Sequence, residues 1–172
     1  MFNQRSLFVA AAVVFNGFFG MSAANAQSTQ CYTLASLQGS YSIIGNYGAN
    51  VGMALGVGYL DGNGNLTRTS VVNGPTAGST TGARTITTTT NTGTYTVNCN
   101  GTGKFMRTLT LADGTKSTGV DDFVITGAIV QGGRLLATTI VDAQQIPSAV
   151  IPGGIFLTRT HTRLPDFGPL QN

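Results

Sequence analysis

The run VGMALGVGYLDGNGNLTRTSVVN, Val51 to Asn73, decides the fold class. Two segments of strand composition flank Asp61-Gly62-Asn63-Gly64, and the centre reads in two ways. Oxygen-bearing side chains at Asp61, Asn63 and Asn65 have the alternate spacing that opens a calcium-binding loop. Such a loop also needs glycine at its sixth position and a bidentate glutamate at its twelfth, and those positions hold Leu66 and Val72. Asp61 and the glycines instead supply the conformations of a tight turn, and Asn63 tolerates a left-handed backbone. The run reads as two strands joined by a turn, with no metal site.

The first of these strands alternates large and small residues. Val51, Met53, Leu55, Val57 and Tyr59 share one face, and Gly52, Ala54, Gly56 and Gly58 share the other. A small face permits strong curvature and close packing, and it also leaves room for a ligand beside the glycine track. Packing is the expected use.

Outward from this hairpin, turn signals separate further strand-like runs. Tyr41–Gly45, Val51–Leu60 and Leu66–Asn73 come first, after one helical turn over Leu34–Gln38. A flexible loop spans Gly74–Ala83. Arg84–Thr90 and Thr94–Asn98 then flank Asn91-Thr92-Gly93 as a compact hairpin. Phe105–Leu111 runs into Asp113-Gly114, a type I′ turn signal. Phe123–Val130 and Leu135–Val141 flank Gln131-Gly132-Gly133. A loop over Asp142–Pro152 precedes a last strand, Ile155–Arg163, and an irregular tail follows Pro165. The expectation is an all-β chain, an antiparallel meander that closes into a small β-barrel of about eight or nine strands. Closure removes the exposed edges, and a two-sheet β-sandwich is the alternative.

Composition agrees. Charged residues make up 9% of the 172 residues, and none is glutamate, which disfavours long solvated helices. Arg5, the apolar run Leu7–Phe19 and Ala24-Asn25-Ala26 read as a secretory signal peptide over residues 1–26, leaving a single barrel domain over 27–172. The apolar run is short for a membrane span, which needs roughly 20 residues. An exported protein, periplasmic or extracellular, with no membrane insertion after cleavage is expected. Cys31 and Cys99 then read as a disulfide. A formal charge of about +2 without Arg5, spread along the chain, gives no footprint for nucleic acid.

Few residues could carry chemistry. His161, the only histidine, alternates with Arg159 and Arg163, whose charges oppose its protonation, so a structural role is expected. One histidine excludes a histidine-rich zinc site. Asp121 and Asp122 are neighbours on a strand and point to opposite faces, so they cannot form an acid–base pair. No G-x-S-x-G elbow occurs. Arg107 stands out, because it shares a stripe with Phe105, Leu109 and Leu111. Inside a barrel its guanidinium needs an aspartate or an anionic ligand; near a strand end it would reach water. FVITGAIV and LLATTIV are apolar on both faces, so something covers their outer side: a second subunit, the N-terminal segment or the loop from Asp142.

The pieces GSYSI (39–43), YLDGNGNLT (59–67), GTYTVNC (93–99) and GGRLLATTIV (132–141) together resemble a group of small exported bacterial proteins. That group looks like β-barrels of the allene-oxide-cyclase or calycin type. The resemblance implies a fold, and its members include ligand carriers and cyclases. The expected function is non-catalytic binding of a small, partly apolar or anionic ligand, with Tyr41, Tyr59, Phe105, Arg107, Arg159 and His161 as candidate contacts and no cofactor. A cyclase or isomerase acting by ligand confinement, and a structural or interaction protein of the cell envelope, are the alternatives. A homo-oligomer through the apolar outer strands is also expected.

Overall fold

A computed structural model describes residues 30–47, 52–151 and 156–165. The signal-peptide reading of residues 1–26, the start of the expected last strand at Ile155 and the tail beyond residue 165 lie outside them. Eight antiparallel strands close into a barrel in sequence order: β1 (Gly39–Asn46), β2 (Met53–Leu60), β3 (Asn65–Pro75), β4 (Arg84–Val97), β5 (Thr102–Leu111), β6 (Lys116–Gln131), β7 (Arg134–Gln144) and β8 (Thr158–Arg163). Closure is made by β1 on β8, where Ile43 pairs with His161 and Gly45 with Arg159.

The stretch at Asp61 forms the β2–β3 turn. Asp61 Oδ1 accepts the backbone N–H of Asn63 at 2.7 Å and of Asn65 at 2.9 Å, and Oδ2 accepts Asn65 Nδ2 at 2.7 Å. Both carboxylate oxygens are thus spent on holding the chain reversal. In β2 the large residues face outward, with Met53 56% and Leu55 58% exposed, while Ala54 is buried. The small face is packed, as expected: a Cβ on Gly58 would lie 3.0 Å from Arg68 Cγ and 3.2 Å from Ile43 Cδ1.

Two turn readings need correction. Asn91-Thr92-Gly93 is no hairpin; β4 runs unbroken from Arg84 to Val97, so the strands number eight. Composition favoured a turn there, but tertiary contacts use the same residues: Asn91 pairs with Arg68 of β3 and Leu109 of β5, and its side chain points inward. Asp113-Gly114 does reverse the chain, but within a four-residue connection, Ala112 to Thr115, where Leu111 N donates to Thr115 O. Gly114 N donates to Leu111 O, so Ala112 and Asp113 form the centre of the turn, not the Asp113-Gly114 pair of a two-residue type I′ hairpin. Gly132 and Gly133, with φ of 57° and 75°, have the positive φ that both central residues of a type I′ turn need and join β6 to β7. Asp142, read as the start of a loop, lies inside β7 and pairs with Arg159.

The interior is layered. At one end a single 3₁₀ turn, Leu34–Leu37, sets Leu37 into a core of Tyr41, Leu60, Leu66, Tyr95, Phe105, Phe123, Ile125, Ala137 and Ile140. The disulfide between Cys31 and Cys99 ties this N-terminal plug to the β4–β5 turn. At the other end Tyr47, Ala54, Val72, Ile151 and Leu157 form a second cluster. Outside, Ile44, Leu55 and Val71 are exposed and adjacent across β1, β2 and β3. On β6, Val124, Ile129 and Val130 are also exposed, although a register shift near Gly127 turns part of that strand. Among the described residues no helix is long and apolar enough to cross a membrane.

Candidate functional site: a charged layer inside the barrel

Alternation along five of the eight strands brings charged side chains into the barrel interior. Arg68 comes from β3, Arg107 from β5, Asp121 from β6, Asp142 from β7, and Arg159 with His161 from β8; all are buried. Burying one such charge without a partner is costly, so the partners decide whether the layer is stable.

Arg107 is fully engaged. Its Nε donates to Asp121 Oδ2 at 2.6 Å and its Nη2 to Asp121 Oδ1 at 2.9 Å, a two-pronged fork. Its Nη1 donates to Asn91 Oδ1 at 2.7 Å. Gly119, opposite Arg107 in β6, leaves the space this needs, since a Cβ there would fall 2.8 Å from Nη2. Arg159 bridges both carboxylates, with Nη2 2.5 Å from Asp121 Oδ1 and Nε 2.8 Å from Asp142 Oδ1. Asp142 Oδ2 also lies 2.7 Å from His161 Nε2.

Electrostatics follow from this geometry. Burial pushes the imidazole of His161 down to about 4; the hydrogen bond to Asp142 opposes the shift without cancelling it, so the ring is neutral at pH 7. For Asp142 burial acts upward, but Arg159, His161 and Arg68 together outweigh it and hold the carboxyl well below its ordinary range. Burial, then the charges of Arg107 and Arg159, push Arg68 down to about 9, which leaves it a cation at neutral pH.

Arg159 Nη2 and His161 Nδ1 are buried without a well-aligned hydrogen bond, but Arg68 is the one side chain of the layer with no hydrogen bond at all. Its Nη1 lies 3.9 Å from Asp142 Oδ2, too far for a hydrogen bond, and its guanidinium stacks 4.3 Å from the Phe105 ring centroid. Nε, Nη1 and Nη2 are all buried without a hydrogen-bond partner.

The layer forms the floor of a pocket at the barrel end away from the 3₁₀ plug. Arg68, Arg107, Arg159, Asn91, Ser70 and Thr89 line its polar side, and Ile43, Ala54, Val72, Leu109 and Leu157 its apolar side. Ser117, Thr118 and the segment Pro147–Val150 frame the mouth. The cavity has a volume of about 40 Å³. The cavity is narrow, and most of the barrel is filled by side chains.

Of the candidate contacts, Phe105, Arg107, Arg159 and His161 meet in this layer. Phe105 is the platform beneath Arg68 and also packs on Phe123 and His161. His161 lies behind Asp142 and does not line the pocket, so it positions a carboxylate. Tyr41 and Tyr59 are elsewhere. Tyr41 is buried in the plugged end, where its hydroxyl donates to Ala137 O at 3.0 Å. Tyr59 alternates outward with Met53 and Leu55 and borders an open depression of about 430 Å³ with Gln38, Arg134 and Arg163. Sequence reading missed Arg68, Asn91, Asp121 and Asp142 as site residues. Arg68 carried the signal that singled out Arg107, a cation on an inward stripe, here between Leu66 and Val72. Among the described residues no group of His, Cys and Asp is placed to hold a metal ion. No protein-family model and no curated protein matches the chain.

Proposed function

We propose that this chain is an exported, non-catalytic binding protein that takes a small, partly apolar ligand in the pocket at the open end of its barrel. The observation that carries the reading is the pocket's composition: aliphatic walls converge on a floor of hydroxyl, amide and guanidinium groups. Such a division, mostly apolar with a few placed polar groups, is what small-ligand sites share. The leader-like N-terminus, the Cys31–Cys99 bond and the resemblance to calycin-type barrels accord with an exported carrier.

Native mass spectrometry of protein purified from its own host tests this. A retained small molecule, lost in Ser117→Trp at the pocket mouth, is the expected result. Bare wild-type protein, or an adduct equally present in Ser117→Trp, would contradict it.

A further inference from the structure

We infer that the ligand class is a short monocarboxylate, anchored by its head group on Arg68 with its hydrocarbon tail along Ile43, Ala54, Val72 and Leu157. The inference rests on the proposed binding role of the pocket and adds the chemistry that the pocket selects.

Hydrogen-bond capacity points to Arg68. The Arg68 side chain is only 3% exposed, lines the pocket and donates no hydrogen bond. A guanidinium carries five N–H donors in a fixed fork, and leaving them unpaired away from water is among the costlier burials. Neither aspartate in the layer takes them in this geometry, and Asp142 Oδ2 stays 3.9 Å from Nη1. Asp121 already receives Arg107 and Arg159, and Asp142 receives Arg159 and His161. An acceptor from outside the chain is therefore the missing partner.

Charge sets its valence. Arg68, Arg107 and Arg159 face Asp121 and Asp142, with His161 neutral, which leaves one positive charge in this layer among the described residues. One negative charge balances it. A phosphate dianion would reverse the imbalance.

Shape sets the head group. A planar carboxylate matches the guanidinium fork with two parallel bonds. Ser70 Oγ and Thr89 Oγ1, 2.8 Å apart, share one hydrogen bond, so one hydroxyl proton of the pair is left for an acceptor in the pocket. The aliphatic wall beyond fits a short tail.

The test compares propionate and butyrate with propionamide and butyramide, by calorimetric titration and thermal melting at constant chloride. The carboxylates should bind saturably and raise the melting temperature, and the isosteric amides should bind at least tenfold more weakly. Arg68→Met should remove the carboxylate response, while Arg68→Lys, which keeps the charge but loses the fork, should retain part of it. If amides and carboxylates bind alike, or if Arg68→Met binds carboxylates as wild type does, the Arg68 assignment is wrong while the binding role stands. If neither class binds, the assignment also fails. The Ser117→Trp comparison of host-purified protein then decides separately whether the pocket binds anything. The wild-type comparison needs no variant, so a misfolded Arg68→Met leaves the question decidable.

Discussion

Arg68 and Asp142 approach to 3.9 Å in the middle of the barrel without forming a hydrogen bond, while the same Asp142 oxygen takes His161 Nε2 at 2.7 Å. Arg68 thus borders the ion-pair network of Arg107, Arg159, Asp121 and Asp142 without a hydrogen bond to it. The two kinds of arginine in this layer should behave differently when truncated.

Replacing Arg107 by Met would strand Asp121 with half of its partners gone. Breaking a buried pair from one side costs about 3–5 kcal/mol. Urea denaturation of Arg107→Met should show a loss of that size. Arg68→Met removes a cation that holds no hydrogen bond, so without ligand it should cost much less than Arg107→Met. A loss at Arg68 equal to that at Arg107 would mean that Arg68 belongs to the network after all.

Stability should fall as pH drops from about 6.5 toward about 4. His161 is held neutral in the fold, with its pKa lowered to about 4, so in that window the unfolded chain binds the extra proton. The stabilisation is fully present above the unfolded value of 6.5 and is lost as pH falls toward the folded one, about 3 kcal/mol in all. Asp142 is lowered too, so its contribution is retained until the pH drops below the ordinary aspartate range. Denaturation of wild type and His161→Gln at pH 4.5 and 7 separates the two; the variant should lose most of the slope between them.

The Cys31–Cys99 bond closes a loop of 68 residues and clamps the plug that seats Leu37. In the chain-entropy picture such a loop contributes about 4 kcal/mol. A Cys31→Ser/Cys99→Ser double variant should melt well below wild type while keeping its β-sheet circular dichroism. An unchanged melting temperature would show that the plug docks without its tether.

At the β2–β3 turn, Asp61→Ala removes an acceptor for three hydrogen bonds from Asn63 and Asn65. The expected cost is about 1–2 kcal/mol, since the donors are exposed and water can replace the acceptor. Calcium should leave the melting temperature of wild type and variant unchanged. A calcium-dependent rise abolished by Asp61→Ala would restore the metal reading.

The barrel was readable because period-2 alternation and Gly, Asn and Asp turns are local signals. Where β4 runs through Asn91-Thr92-Gly93, the same signals misled, because those residues serve interior contacts with β3 and β5. The site was half legible for a similar reason. Arg107 betrayed itself on an apolar stripe, but its acceptor Asp121 was hidden beside Asp122, and Asp142 seemed to lie in a loop. Which carboxylate meets which guanidinium depends on strand register across the closed barrel, such as Asp142 on Arg159, and one-dimensional pattern carries no register.

The most direct measurement is a crystal structure grown with 3-bromopropionate, the bromine located by its anomalous signal. The carboxylate is expected within hydrogen-bond distance of the Arg68 guanidinium, with the bromine toward Val72 and Leu157. Bromine density elsewhere, with Arg68 still donating to nothing, would contradict the account.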